Sequence, residues 1–322
     1  MAVLVYVESW NGSFKKASYE AVTYASQLSK KIGTNTIALT ISNKDNPKVL
    51  GNYGASKVIT VNNNLIEKFN NKSYANVISQ IADKVKADIV VISNTNNGKS
   101  LSPIIAALRN SSLISNAINL PESIKPFVMK TKAFSSKAFA NYTTTNEKII
   151  ISITPNSIGV KENENSIEIE NYNFSDPVSD PRLKSISTEN IIGKIPLTEA
   201  EIVVSAGRGL KGPENWGMVE ELADLLGAAT ACSKPVSDIG WRSHSEHVGQ
   251  TGIAINPQLY IAIGISGAIQ HLAGVNASKN IVVINIDPEA PFFKAADYGI
   301  VGDAFEVVPN LINALKDYQT KN

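Results

Sequence analysis

The sequence lacks three features that often reveal a function directly: paired cysteines, a surplus of charge of one sign, and a long apolar run. The only cysteine among 322 residues is Cys232, which excludes an intramolecular disulfide framework and any cysteine-rich metal or iron–sulfur site. The 30 basic and 29 acidic side chains leave a net charge of +1, which argues against a nucleic-acid-binding protein. No apolar run approaches the roughly 18 residues of a transmembrane helix, so we expect no stable membrane insertion.

The N-terminal segment, MAVLVYVESWNGS, has no basic stretch followed by an apolar one. The sequence therefore predicts no signal peptide. Together with the single cysteine, this predicts a reducing location, most simply the cytoplasm. A hydrophobic content of 43% with 18% charged residues is typical of a globular protein and excludes a fully disordered chain.

Length and a connecting segment indicate two domains, and the glycine distribution marks the second as the place for a ligand. At a rough 150 residues per domain, the chain is long enough for about two. Six of the 20 glycines lie in residues 1–190 and 14 lie in residues 191–322, which marks the second half as the place for a binding site. Residues 174–200 contain two Asp-Pro steps and no sustained periodicity, as in a connection. We therefore predict one domain at residues 1–189 and a second at residues 190–322.

Short apolar β-runs alternate with helical segments in the first half. Strands are predicted at residues 2–8, 35–42, 57–61 and 88–94, and helices at about 14–31 and 74–86. This alternation predicts βαβ units and a parallel sheet. From about residue 125, four β-rich segments follow: FVMKTKAF, KAFANYTTT, KIIISITP and SIEIENYNF. The predicted fold class is an α/β domain with a parallel sheet and added antiparallel strands, which these four segments supply.

The second half resumes the alternation of strands and helices. Its strands are predicted at residues 201–207, 228–233, 259–266, 281–286 and 298–303. The helices include one at about residues 214–226 and one at the C-terminus. This pattern predicts a doubly wound α/β domain of about 120 residues.

The five predicted strands of this domain end in polar or glycine residues. In open α/β sheets, ligands bind outside the carboxyl ends of the strands. The five places are the segments 207–209, 233–234, 266–271 and 285–287, and residue 303. One polar strand end carries no information, but five in one small domain predict an extended ligand of nucleotide size.

Two of these segments contain groups suited to phosphate. Arg208 could pair with a phosphate as a bidentate donor, or it could be a solvated arginine in a tight turn, since G-R-G lacks the third glycine of G-x-G-x-x-G. Ser266 and Gly267 connect an apolar strand to a helix start, where free N–H groups favour an anion such as pyrophosphate. Alternatively, Ser266 is a plain N-cap. Gln270 and His271 follow closely enough to reach the same ligand.

Three further segments carry weaker signals. The loop V-G-Q-T-G at residues 248–252 could approach a heteroaromatic ring, and alone it would pass as a turn. His244 and His247 are three residues apart, but only Glu246 could be a third ligand, so surface-loop histidines are favoured over zinc and no metal is predicted. The segment 98–100, G-K-S, lacks the earlier glycine of a phosphate-binding P-loop.

Six sequence blocks follow one another in the second half: GRGLKGPEN, ACSKPVSDIGW, HVGQTG, LYIAIGISGAIQHLAG, INIDPEAPFFKAADYGIVGD and FEVVPNLINAL. In this order they resemble the alpha subunit of electron-transfer flavoprotein, almost continuously over residues 201–318. The first half resembles the family's N-terminal domain more loosely, through its βα alternation and the segment LSPIIAALRNSSLISNAINL.

The resemblance implies a heterodimer with a beta subunit and one FAD, held mostly by the C-terminal domain. It implies an electron carrier without substrate turnover of its own. Such a carrier takes single electrons from flavin dehydrogenases, as in fatty-acid β-oxidation with acyl-CoA dehydrogenases, and passes them to a membrane quinone oxidoreductase or another acceptor. The family's AMP site belongs to the beta subunit, which agrees with the missing P-loop.

The resemblance also implies which residues contact FAD. They are Arg208, Ser233, Lys234, Val248, Gly249, Gln250, Thr251, Ser266, Gly267, Ala268, Ile269, Gln270, His271, Asn285, Asp303 and Ala304. Arg208 would contact the phosphates, and Lys234 would lie beside the isoalloxazine. The segment 248–251 would wrap the flavin, and the segment 266–271 would hold the pyrophosphate side, with His271 at the N1–C2=O edge. The last three residues would border the adenosine portion.

One residue departs from the family pattern, because relatives usually carry arginine where this chain has Lys234. Lysine keeps the positive charge but loses the planar fork of the guanidinium. One-electron reduction places negative charge over N1 and C2=O of the flavin. We expect a protonated or hydrogen-bonding His271, together with Lys234, to stabilise that charge.

Three other functions compete with this interpretation. One is an electron-bifurcating form of the same carrier. Another is a nucleotide-dependent dehydrogenase, which would need a full glycine fingerprint followed by an acidic residue about 20 positions later. The third is a non-catalytic nucleotide-sensing module whose site lies in the N-terminal domain.

Overall fold

The computed structural model describes residues 2–10, 12–134, 138–174 and 195–321. Within them, the chain divides into two compact units. The N-terminal unit contains residues 2–133 and 139–174, and the C-terminal unit contains residues 195–321 together with residues 134 and 138. The predicted domain boundary between residues 189 and 190 lies outside the described residues.

The N-terminal unit is a mixed α/β domain built on one large sheet. Its strands are β1 (Ala2–Tyr6), β2 (Ser9–Trp10), β3 (Ser13–Phe14), β4 (Asn35–Ile41), β5 (Lys57–Val61), β6 (Ala87–Ser93), β7 (Ser112–Ala117), β8 (Ser123–Ile124), β9 (Phe127–Ala133), β10 (Ala138–Thr144), β11 (Ile149–Ile153) and β12 (Glu168–Asn171). Its helices are α1 (Lys16–Ile32), α2 (Asn71–Lys84) and α3 (Asn96–Arg109). The sheet has the order β10-β9-β7-β11-β6-β1-β4-β5-β12, with β8 paired to β9.

The centre of this sheet is parallel and covered on both faces. Pairing is parallel from β7 through β11, β6, β1, β4 and β5 to β12, whereas β9 is antiparallel to β7 and β8. Val3 and Val5 pack on the face covered by α1, and Leu4 and Tyr6 pack on the face covered by α2 and α3. Because successive side chains of β1 enter opposite cores, the strand is apolar throughout.

Two strands run in a different direction from the one predicted. We expected β11 and β12 to be antiparallel, but β11 lies parallel between β6 and β7, and β12 lies parallel beside β5. All five residues of β11 are buried, which is typical of a parallel strand covered on both faces. The prediction for β11 was wrong because we assigned this continuous apolar run the antiparallel direction expected of the segments next to it in sequence.

Helix α1 begins later than predicted. The sequence suggested a start near Phe14, but Ser13 and Phe14 pair with Ser9 and Trp10 in the hairpin β2–β3. The helix ends as predicted before Gly33, whose φ of 71° is the left-handed conformation of a helix C-cap.

The C-terminal unit is a doubly wound parallel sheet, as predicted. Its strands are β13 (Ile202–Ala206), β14 (Ala229–Cys232), β15 (Leu259–Ile263), β16 (Asn280–Asn285) and β17 (Tyr298–Val301). Its helices are α4 (Gly217–Leu226), α5 (Lys234–Asp238), α6 (Ile269–Val275) and α7 (Ala304–Lys321). The strand order is β14-β13-β15-β16-β17, with every pair parallel.

The two faces of this sheet have separate cores. Val204 packs with residues of α4 and α7 on one face. Val203 packs with Val275 of α6 and with Phe292 on the other. Across the described residues of both units, no helix combines the length and the apolar composition needed to cross a bilayer.

A buried carboxylate ties α1 to the segment that follows β11. Glu20 is 1% exposed and accepts backbone hydrogen bonds from Asn156 at 2.7 Å, Ile158 at 2.9 Å and Gly159 at 3.0 Å. One side chain thus supplies an acceptor to three backbone amides, and N–H groups removed from water need such acceptors.

We expect Glu20→Ala to lower the free energy of unfolding by about 3 kcal/mol, since buried amides without an acceptor cost about 1–3 kcal/mol each. Urea unfolding followed by circular dichroism measures the change. Glu164→Ala, which truncates an exposed glutamate of the same unit, is the matched control and should change stability by less than about 0.5 kcal/mol. Equal midpoints for the two variants would contradict the assignment.

Candidate functional site

The C-terminal sheet changes its direction of winding between β13 and β15. From β13 the chain crosses to β14 on one side, and from β15 it proceeds to β16 and β17 on the other. The loops that leave the carboxyl ends of β13 and β15 therefore diverge and open a crevice, which is the usual ligand site of such sheets. A cavity of about 470 Å³ lies there, a size common among small-molecule sites.

Twelve of the sixteen residues expected to contact a cofactor line this cleft. They are Arg208, Ser233, Lys234, Val248, Gly249, Gln250, Thr251, Ser266, Ala268, Gln270, His271 and Asn285. The structure thus brings together residues from four strand ends and one loop, although their contacts with a cofactor stay predictions. Six further lining residues were not assigned to a cofactor from the sequence: Gly209, Pro235, His247, Gly264, Ile265 and Asp287.

The other four expected residues do not line the cleft. Gly267 faces the core, because a Cβ there would come within 2.5 Å of Phe292 Cβ. Ile269 is 60% exposed at the first turn of α6. Asp303 caps α7 by accepting a backbone hydrogen bond at 2.9 Å, and Ala304 is buried in the core beneath that helix. The polar end of β17 therefore has a structural explanation as a helix cap.

Two glycines allow the turns after β13 and β15 to approach each other closely. The Gly209 N–H donates to the Gly264 carbonyl at 3.1 Å. A Cβ on Gly264 would come within 2.8 Å of Gly209 Cα, and Gly264 has a φ of +59°. No larger side chain fits at this contact without moving the backbone, so the floor of the crevice depends on both glycines.

The loop between α5 and β15 is anchored at both ends. Arg242 donates to Glu246 at 2.7 and 2.9 Å and to Glu220 of α4 at 2.8 Å. At the other end, the Gln250 N–H donates to the carbonyl of Gln270 in the first turn of α6 at 2.7 Å. This loop is therefore held against the cleft by the protein itself.

His247 differs most from its interpretation as a surface-loop histidine. It is 1% exposed, because the next residue, Val248, donates its N–H to the Cys232 carbonyl at 3.1 Å and extends the edge of β14. Its Nδ1 is buried without a hydrogen-bond partner among the described residues. Burial lowers its pKa, and His244 lowers it further. The only sequence signal was its place directly before V-G-Q-T-G.

His271 is buried at the cleft with one ring nitrogen bonded and the other unbonded. Its Nε2 lies 2.8 Å from the Tyr260 hydroxyl oxygen. Its Nδ1 forms no hydrogen bond of good geometry within the described chain. Burial lowers the pKa of His271 to about 4, with His247 adding to this effect and the Val248 backbone opposing it. The ring is therefore neutral at pH 7, which favours hydrogen bonding over protonation in the role expected for it.

The cleft also offers groups that suit an anion. Arg208 is exposed and has no ion-pair partner in the described part of the chain, whereas Lys234 pairs with Asp238 at 2.8 Å. The amides of Ser266 and Gln270 donate no hydrogen bond to described residues. Ser266 is not the N-cap of α6, because Ala268 occupies that position. Unused N–H donors and cations fit a phosphate-bearing ligand.

No cluster of three or more histidine, cysteine, aspartate or glutamate side chains suited to a metal occurs among residues 2–10, 12–134, 138–174 and 195–321. The buried thiol of Cys232 has its pKa raised to about 12 by burial, so it stays protonated at neutral pH.

Comparison with known proteins identifies the domains. Residues 3–177 match the family model described as the electron transfer flavoprotein domain, and residues 196–276 match the electron transfer flavoprotein FAD-binding domain. The chain is 36% identical to the electron transfer flavoprotein subunit alpha of Bacillus subtilis, covering 98% of this chain and 97% of that protein. It is 35% identical to the subunit alpha of Thermoanaerobacterium thermosaccharolyticum, with the same coverage.

A relative with a different name is also similar over most of the chain. The lactate dehydrogenase (NAD(+),ferredoxin) subunit LctC of Acetobacterium woodii is 30% identical over 98% of this chain and 77% of its own length.

We predict that Gly264→Ala reduces the FAD content of the purified protein at least about tenfold, because the new methyl group would push the two turns apart. FAD released by denaturation and quantified by absorbance is the measurement. Gly227→Ala is the matched control, since Gly227 has a φ of +60° and no atom within 4 Å of an added Cβ. Both substitutions strain the backbone, but only the first should affect FAD. Equal FAD losses would assign the effect to backbone strain alone.

The low pKa of His271 predicts a loss of stability in acid. The unfolded chain takes up a proton on this ring below pH about 6.5, whereas the folded chain does so only near pH 4. The free energy of unfolding should therefore fall by up to about 1.4 kcal/mol per pH unit between these values. His271→Gln should reduce this dependence in urea unfolding between pH 7 and 4.5, and the part that remains comes from His247, whose pKa is also lowered. His244→Gln, at an exposed histidine, should retain it.

Proposed function

Because the chain belongs to the electron transfer flavoprotein alpha-subunit family, we propose that it holds FAD in the cleft of its C-terminal unit and works as an electron carrier with a beta subunit. In this proposal, single electrons arrive from flavin dehydrogenases, such as acyl-CoA dehydrogenases of fatty-acid β-oxidation. They leave to a membrane quinone oxidoreductase or another acceptor. The carrier itself turns over no substrate.

The position of the cleft within the matched FAD-binding domain carries this proposal. All lining residues except Asn285 and Asp287 fall within residues 196–276. The glycine contact, the unused amides and the unbonded His271 Nδ1 all lie in that segment. A buried polar atom without a partner is costly, and a ligand that supplies the partner removes this cost.

Each part of the cleft has a proposed role toward FAD. Arg208 and the amides around Ser266 bind the phosphates by charge-assisted hydrogen bonds. The loop at residues 248–251 lies along the ring system, held there by its own backbone contacts. His271 donates a hydrogen bond to the acceptor edge of the ring system, and Lys234 supplies a positive charge beside it. Bound FAD supplies a ring system that accepts and releases one electron at a time.

A neutral His271 has a consequence for this role. A hydrogen-bond donor in a low-dielectric site stabilises added negative charge more strongly than the same donor in water. The residue therefore tunes the cofactor through its N–H group, without carrying a full charge at neutral pH. Lys234 is 55% exposed and paired with Asp238, so solvent and the carboxylate weaken its field.

A second candidate is an electron-bifurcating form of the same carrier. The similarity to subunit LctC, whose name includes both NAD(+) and ferredoxin, favours it. The electron donor distinguishes the two candidates, because a bifurcating complex would oxidise a nicotinamide only together with a second, low-potential acceptor. We further propose a reducing, cytoplasmic location, which suits a chain with one cysteine.

The test is a visible spectrum of the chain co-produced with its beta subunit, recorded during stepwise anaerobic reduction. We expect one FAD per heterodimer and two separable one-electron reductions. A protein that stays colourless after FAD is added would overturn the proposal and favour the nucleotide-sensing alternative.

We expect Lys234→Ala to lower the potential of the first electron by an amount on the order of tens of millivolts, because a positive charge near the reduced ring is lost. Spectroelectrochemistry on the heterodimer measures it. Lys316→Ala is the matched control, since Lys316 forms a similar exposed ion pair at 2.6 Å with Glu221, away from the cleft lining. If both variants keep the wild-type potential, Lys234 has no role in tuning the cofactor.

A further inference from the structure

Behind His271 lies a tyrosine that neither the sequence nor the comparisons connect with the cofactor. Tyr260 belongs to β15 and is fully buried, and its hydroxyl oxygen lies 2.8 Å from His271 Nε2. Phe292 packs against both rings, with ring centroids 6.3 Å from Tyr260 and 5.7 Å from His271. The two polar rings are therefore fixed relative to each other by an aromatic neighbour as well as by their hydrogen bond.

The direction of this hydrogen bond decides which nitrogen of His271 carries its proton. Both groups are neutral at pH 7, because burial raises the pKa of Tyr260 and lowers that of His271. A neutral imidazole has one N–H and one bare nitrogen, and a phenol needs an acceptor for its O–H. If Nε2 carried the proton, it would donate to the phenol oxygen and the phenol O–H would need another acceptor.

The surroundings of Tyr260 offer its hydroxyl proton no acceptor as good as Nε2. Burial raises the pKa of Tyr260, and Ser205 lies close enough to lower it in part. However, Ser205 Oγ forms no hydrogen bond of good geometry with a described residue. When the phenol donates to Nε2, its O–H is satisfied and the imidazole proton must lie on Nδ1. The Val248 backbone favours the protonated state of the ring, yet Nδ1 forms no hydrogen bond of good geometry with a described residue.

We propose that Tyr260 is a positioning residue that holds His271 in the neutral Nδ1–H form and so keeps an N–H donor available at the cleft. The consequence for cofactor binding rests on the proposed function, because the His271 N–H would donate to the acceptor edge of bound FAD. The tautomer itself is a property of the chain without ligand. Tyr260 does not touch the cofactor in this proposal and acts only through His271.

The first test is ¹⁵N NMR of the histidine rings in the full chain free of FAD. The chain has three histidines, so His244→Gln and His247→Gln variants assign the signals. We expect His271 in the wild type to show a protonated Nδ1 and a bare Nε2. In Tyr260→Phe, which keeps the aromatic ring and removes the hydroxyl, we expect a mixture of both tautomers. A protonated Nε2 in the wild type would overturn the proposal without any variant.

The matched control is Tyr24→Phe. Tyr24 is also buried, and its hydroxyl donates to the Asn119 carbonyl at 3.0 Å in the N-terminal unit. Each variant loses one buried hydroxyl, but only Tyr260→Phe should move the His271 signals. Unchanged signals in Tyr260→Phe, or equal changes in both variants, would contradict a positioning role.

The second test uses the heterodimer with FAD. We expect Tyr260→Phe to raise the FAD dissociation constant about three- to tenfold and to lower the potential of the first electron, whereas Tyr24→Phe should change neither. A changed tautomer with wild-type affinity and potential would overturn the link to the cofactor. A wild-type heterodimer that binds no FAD would refute the proposed function instead, and the NMR result would still decide the tautomer.

Discussion

The close contact between Gly209 and Gly264 is the constraint on which the cleft depends. It joins the turns after β13 and β15 at the point where the sheet changes its direction of winding. With side chains at this contact, the turns would separate and the strand ends that carry the polar groups would no longer converge. The cleft is therefore a consequence of sheet topology, and the two glycines allow the backbone to follow it.

Around this contact, the protein leaves several polar groups without partners of their own. His247 and His271 are buried, and their Nδ1 atoms form no hydrogen bond of good geometry with described residues. The amides of Ser266 and Gln270 donate to no described residue either. Such groups reduce the stability of the free fold, and they are preorganised for a ligand that satisfies them. The hydrogen bonds of Arg242 with Glu246 and Glu220 hold one end of the loop without a contribution from a ligand.

The N-terminal sheet has an equivalent change of winding between β1 and β6, but a side chain of the protein itself lies at the end of β1. Glu8, which follows β1, accepts hydrogen bonds from Thr95 and Asn97 at the start of α3. A carboxylate at this helix start takes the donors that a phosphate would use and repels an anion. This argues against the alternative of a nucleotide site in the N-terminal domain.

Most of the fold follows from local patterns, because apolar periodicity and helix-ending glycines act within a few residues of the chain. Such patterns predicted the alternation of strands and helices, the doubly wound second domain and the polar strand ends. Pairing partners were not, since β11 reaches the centre of its sheet through contacts distant in sequence. The same limit applied at the end of β17, where the sequence did not indicate that Asp303 caps α7; its contact with a cofactor stays a prediction.

Within the cleft, the sequence by itself determined the residue types and their order along the chain, including G-R-G, V-G-Q-T-G and S-G-A-I-Q-H. Only the tertiary structure decided that His247 is buried, that His271 is neutral and that Tyr260 bonds to it. Burial and hydrogen-bond partners depend on which distant segments meet, and the pKa of a side chain follows from both. The sequence therefore specifies the chemical groups of the site, whereas tertiary packing sets their protonation states.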